Sequence, residues 1–165
     1  MPTEQDHPYS PEAVFEKRLK RLSEDTIPGV IKKIGKLDWG GNHGSDELEV
    51  AGKTYANGNS FIKEAVAQLP KFDCTGNGPE VEMQAAGLDS EGRIERVFTG
   101  TYDEISQLFR VVALDPEGSI LYSLSYKTSS DPDQNLTVGF PVGRRKETII
   151  HEESYQAFDY SSGWR

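Results

Sequence analysis

Apolar positions in the first part of the chain recur at helical spacing. In "SPEAVFEKRLKRLSED", Val14, Phe15, Leu19 and Leu22 gather on one side, and Glu16, Lys17, Lys20 and Arg21 lie largely on the other. This pattern predicts an amphipathic helix packed on a neighbour. Ser10 is a good N-cap, Pro11 suits the first helical position, and Glu12 complements the positive helix end. Pro28 in "TIPG" opposes continuation, so the helix is expected to stop before it. Residues 29–39 then read as an imperfect strand containing Gly29 and Gly35. Further on, Leu48 and Val50 alternate with Glu47 and Glu49, and "AGK" makes a tight turn into Thr54 and Tyr55. The helical rhythm returns in "NSFIKEAVAQLP". There Phe61, Ile62, Ala65, Val66 and Leu69 form the buried stripe, Asn59 or Ser60 caps it, and Pro70 stops it.

The remainder alternates with the period of strands. "GLDSEGRI" (87–94) and "ALDPEGSI" (113–120) share the pattern Leu-Asp-x-Glu-Gly-x-Ile. Asp at the start and Gly at the fourth position suit a type I turn followed by a left-handed residue, so these are two hairpins. A further turn at "SSDPDQN" leads into "LTVGFPV", and "ETIIHEESYQAFDY" predicts a last strand pair. If Leu114 opposes Ser119, then Ala113/Ile120, Val111/Tyr122 and Phe109/Leu124 share an apolar core face. The same register in the first hairpin pairs Gly87/Ile94, Ala85/Arg96, Met83/Phe98 and Val81/Gly100. Arg96 then projects into an otherwise apolar face that small residues leave roomy.

These elements predict an α+β fold. It comprises a mainly antiparallel curved sheet or partial barrel, an N-terminal helix and one internal helix. Residues 1–9 are polar and expected to be disordered, with residues 10–165 forming a single domain.

Charge narrows the partners. The chain has 165 residues and a formal net charge of −9, which disfavours a broad phosphate-binding surface. The local exception is "GRRKE" at 143–147, a weak basic patch. The single cysteine, Cys74, cannot form an internal bridge. The polar N-terminus lacks a signal peptide's apolar run, and no segment approaches the roughly 20 apolar residues of a membrane span. The expected location is the cytoplasm.

Candidate chemistry is sparse. In "KLDWGGNHGSDELEV" the glycines serve a long hairpin connection, leaving Trp39, Asn42 and His43 as candidates to grip a ligand or partner. Trp39 folding back over a core edge would be the purely structural alternative. Arg96 is a candidate to hold an anion or carboxylate at the floor of a concavity. A bulge turning it outward, or an ion pair with an Asp or Glu, would place it equally well. His151 and Glu153 share a strand face, but two ligands do not make a metal site. Cys74 has no base at motif spacing, and "TGNG" lacks the ending of a phosphate loop. The aromatic C-terminus, with Tyr155, Tyr160 and Trp164, suits docking on the body or on a partner.

No catalytic constellation, metal site or cofactor motif emerges. The leading expectation is a non-enzymatic binding module for a protein partner, through Trp39 and Trp164. The first alternative is a small-molecule-binding α+β barrel, possibly an enzyme, with Arg96 and His43 in its pocket. The second is a nucleic-acid-binding barrel using Trp39 and "GRRK".

Overall fold

A computed structural model describes residues 10–40, 46–127, 133–142 and 149–158 of the chain. Helix α1 (Pro11–Arg21) begins as its cap predicts, with the Ala13 N–H donating to Ser10 Oγ at 3.3 Å. It does not end before Pro28. A π turn (Leu22–Thr26) follows directly and runs on into helix α2 (Ile27–Lys36), so residues 29–36 are helical rather than a strand. Proline lacks an N–H, and in an α-helix its ring crowds the carbonyl four residues back. The wider turn relieves this: the Ile27 N–H reaches back five residues to the Leu22 carbonyl. Burial then rewards the helix. Ile27, Val30 and Ile34 are buried and Ile31 partly so, a three-and-four spacing that outweighs Pro28, Gly29 and Gly35. The stripe expected on α1 is shorter than predicted. Leu22 is buried and Leu19 partly, whereas Val14 and Phe15 remain exposed.

Strands β1 (Leu48–Val50) and β2 (Lys53–Tyr55) form a hairpin whose turn residues Ala51 and Gly52 both have positive φ, 53° and 80°. Such a two-residue turn matches the right-handed twist of its strands. Helix α3 (Gly58–Ala67) buries Phe61, Ile62, Ala65 and Val66, as its stripe predicts. Its cap is Asn57, whose Oδ1 accepts from the Ser60 N–H at 2.8 Å, rather than Asn59 or Ser60.

The other strands form a seven-stranded antiparallel sheet in chain order, open rather than closed into a barrel. They are β3 (Asp73–Thr75), β4 (Glu80–Leu88), β5 (Ile94–Asp103), β6 (Leu108–Leu114), β7 (Ile120–Lys127), β8 (Asp133–Val142) and β9 (Ile149–Phe158). Segment 149–158 is one strand paired with β8, not a pair of its own. The two echoed turns are alike. Asp89 Oδ1 accepts from the N–H groups of Glu91 and Arg93, and Asp115 Oδ1 from those of Glu117 and Ser119. Gly92 and Gly118 take the left-handed position, at φ 82° and 92°.

The observed registers differ from the expected ones by two residues. Ala113 pairs with Tyr122 and Gly87 with Arg96, because each hairpin has a bulge just beyond its turn. Two is the period of a strand, so residues beyond each bulge keep their predicted faces. Ile94 and Ile120, expected on the core face, instead pair with Leu88 and Leu114 and are exposed. Phe98, Phe109, Val111, Ala113, Tyr122, Leu124 and Tyr126 accordingly line one core with the buried faces of the helices.

Glycines separate the tight contacts from the slack ones. A Cβ at Gly100 would collide with the Arg110 carbonyl of β6, whereas one at Gly29 would meet nothing within 4 Å. Gly29→Ala is expected to stabilise the fold by up to about 1 kcal/mol through helix propensity. Gly100→Ala should destabilise it by roughly 2 kcal/mol or more. Urea denaturation of the two variants measures both signs.

Candidate functional site

Arg96 lies on the core face of β5, in the alternation that buries Phe98 two residues later. Its guanidinium turns toward α3 and donates from Nη1 to Gln68 Oε1. Among the described residues no carboxylate lies within 4.0 Å of it, so its charge has a neutral amide as its hydrogen-bond partner. Beside it, β2, α3, β5 and β7 enclose a recess of about 110 Å³ into which Tyr55, Glu64 and Tyr122 also face.

Tyr122 is 2% exposed, held by an edge-on contact with Phe61 at 5.4 Å between ring centroids. Its hydroxyl is the one buried side-chain polar atom among the described residues without a hydrogen-bond partner. Burial pushes its pKa up, and Arg96 pulls the other way, by its charge and by approaching the hydroxyl oxygen as a donor, so the hydroxyl still lacks an acceptor. The other charges of the recess satisfy one another. Lys53 Nζ lies 2.7 Å from Glu64 Oε1, and the Tyr55 hydroxyl donates to Glu64 Oε2 at 2.5 Å. Hydrogen bonds from Lys53 and Tyr55 hold the Glu64 carboxyl below its ordinary range. Burial first, then the bonded Glu64, pushes the Tyr55 phenol up to about 12. Lys53 and Glu64 cancel, leaving the recess with the positive charge of Arg96.

A second recess of about 280 Å³ opens on the other side of the Arg96–Gln68 pair. Its walls combine Pro70, Ala86, Gly87, Leu88 and Phe98 with Gln68, Glu95 and Arg96, so its chemistry is mixed.

The remaining sequence candidates fall elsewhere. Trp39 is not an exposed loop aromatic: it is fully buried. Its indole Nε1–H donates to the Ile34 carbonyl at 2.8 Å, and its ring meets Tyr126 edge-on at 5.9 Å. Tyr155 is also fully buried, and its ring occupies the space that a Cβ at Gly58 would need. Asn42, His43, Trp164, Tyr160 and the 143–147 basic run lie outside the described residues. So does the side chain of His151, although its backbone pairs with Phe140. Among the described residues, no three His, Cys, Asp or Glu converge as metal ligands. Cys74 is partly buried in β3, and burial, then the Asp73 charge, pushes its thiol up. The structure thus joins Arg96 to Tyr122, Gln68, Glu64, Tyr55 and Lys53, none of which the sequence marked as site residues. A tyrosine on an otherwise apolar face was the available signal, since its hydroxyl needs a partner when buried.

Comparison of the chain with protein-family models, with curated proteins and with solved structures gives no match.

Trp39→Ala should therefore act on stability before binding. We expect a loss of about 3–5 kcal/mol in denaturant unfolding. The Tyr55 shift has a defined sign. A phenol whose pKa rises from 10.0 to about 12 favours the fold below pH 10, and this contribution is lost as pH climbs through 12. Phenolate absorbance of Tyr55→Phe should lack one late-titrating group, and its stability should fall less steeply over that window.

Proposed function

We propose that the chain is a non-enzymatic binding module whose ligand presents a carboxylate to Arg96 and Tyr122. One observation carries this reading: among the described residues, a buried hydroxyl without an acceptor shares a recess with a guanidinium that has no carboxylate within 4.0 Å and bonds a neutral amide. An unsatisfied buried hydroxyl costs about 1–3 kcal/mol. A carboxylate oxygen accepting from Tyr122 and Arg96 would recover that cost and add a charge-assisted bond. Gln68, a neutral acceptor now on Arg96, is readily displaced by an anion.

The protonation states support binding over acid–base chemistry. Glu64 is held ionised and Tyr55 and Tyr122 are held protonated, so none of the three is tuned to exchange a proton near neutrality. The net charge of −9 disfavours a nucleic acid as the anion. No helix among the described residues is long and apolar enough to cross a membrane. Cys74, free and partly buried, is compatible with a reducing compartment, and the cytoplasm is the location we propose.

Titrating acetate, benzoate and inorganic phosphate into isotope-labelled protein tests the reading. The carboxylates should shift the Arg96 Nε–H resonance saturably. Arg96→Met should weaken binding at least tenfold, about 1.4 kcal/mol, with Tyr122→Phe showing a smaller loss. Shifts that never saturate, or that persist in Arg96→Met, would remove the proposal.

A further inference from the structure

We infer that Arg96 takes its carboxylate from the C-terminus of an extended peptide, supplied by a protein partner, which enters by the second recess and adds a strand beside β4 at Ala85–Leu88. The inference rests on the carboxylate reading above and names the bearer of the group.

The argument starts from the length of β3. Its three residues pair with Glu82–Gln84 and stop at Asp73 opposite Gln84. Residues Ala85–Leu88 are therefore paired with β5 on one side and, among the described residues, have no strand on the other. The segment between α3 and β3 runs past this edge without closing it. The Gln68 and Leu69 N–H groups bond back to carbonyls of α3, and no described backbone group bonds to Ala85–Leu88 from that side. A strand edge presents alternate N–H and C=O groups outward, and these form a template for another extended chain.

The space and its chemistry match such an occupant. The second recess is lined by Pro70, by the β4 edge residues Ala86–Leu88 and by Arg96, which is opposite Gly87 in the register. Phe98 contributes to its wall, and Leu88 stands 59% exposed, so an apolar side chain finds contacts there. A terminal carboxylate at Arg96 thus brings the preceding residues alongside Ala86–Leu88. The bulge at Gly87/Leu88 limits regular pairing to the last two or three residues of the peptide. Glu95 also borders the recess, so acidic residues upstream of the terminus are disfavoured and neutral or basic ones preferred. A free metabolite carboxylate would use Arg96 and Tyr122 but would leave the β4 edge unpaired.

A pentapeptide library randomised at its last three positions, as free acids and as C-terminal amides, is panned against the full chain. The best members are then titrated into isotope-labelled protein beside acetate. The free-acid peptides should bind at least tenfold tighter than acetate, shift the amides of Ala85–Leu88 and slow their exchange. Amidation, backbone N-methylation of the penultimate residue, or Arg96→Met should each cost tenfold or more. If acetate binds through Arg96 but no peptide binds tighter or moves the 85–88 amides, the peptide inference falls and the carboxylate reading stands. Amidated peptides binding as well as free acids would also overturn the inference. If neither acetate nor peptide depends on Arg96, both readings fail.

Discussion

The burial of Trp39 is the interaction on which the arrangement of the helices depends. Its indole N–H satisfies a carbonyl near the end of α2, where helical acceptors run out of internal partners. Its backbone N–H donates to Asn59 Oδ1 at 3.1 Å, and Asn59 Nδ2 donates onward to Asp38 at 2.9 Å. Its ring meets Tyr126 of β7. One residue therefore ties the end of α2, the first turn of α3 and the sheet. Because Asn57 takes the capping role, Asn59 is free for this link. The position of α3 follows, and with it the positions of Glu64 and Gln68 opposite Arg96.

A second tie holds the other end of the helical layer. Arg18 of α1 is largely buried, contacts Glu104 at 2.5 Å and donates to the Gly78 carbonyl at 2.5 Å. It thereby joins α1 to the loop before β4 and to the turn after β5. Between the two ties, Phe72 meets Phe98 and Phe109 edge-on, and buried Ser23 donates to the Phe72 carbonyl at 2.5 Å. The π turn that accommodates Pro28 also carries Ser23, so relief of proline crowding and anchoring of the segment before β3 use the same residues. That anchoring sets where β3 begins, and hence how much of β4 remains uncovered.

Much of the fold was legible because strand faces depend only on parity. The Asp-x-x-Gly turns were read directly, and the two-residue error in each register left the faces beyond the bulges intact, including that of Arg96, but not those of Ile94 and Ile120. The α3 stripe was equally plain. The α2 error came from weighing Pro28, Gly29 and Gly35 above the spacing of Ile27, Val30, Ile31 and Ile34, since a π turn has no sequence signature of its own. Trp39 was misread because glycines nearby marked a loop, while the acceptors that draw it inward come from Ile34 and Asn59. The site was half legible. Local alternation placed Arg96, but Tyr122, Glu64 and Gln68 come from other elements, and only the packing of α3 on the sheet brings them together.

The case for a ligand finally rests on a contrast among the tyrosines. Tyr55 donates to Glu64, Tyr126 to Gln134 at 2.7 Å, and Tyr155 to Glu153 at 2.9 Å. The fold thus supplies acceptors to buried or partly buried phenols even where this requires a nearly buried glutamine, Gln134. Tyr122 alone among the described residues has a fully buried hydroxyl without an acceptor. A phenylalanine there would keep the edge contact with Phe61 and remove a penalty of about 1–3 kcal/mol, a large share of a stability of roughly 5–15 kcal/mol. Packing against Phe61 alone therefore does not account for the hydroxyl, which sits close enough to Arg96 for the guanidinium to lower its pKa. In the proposed function its place beside Arg96, whose hydrogen-bond partner is the neutral Gln68, lets both groups donate to one acceptor.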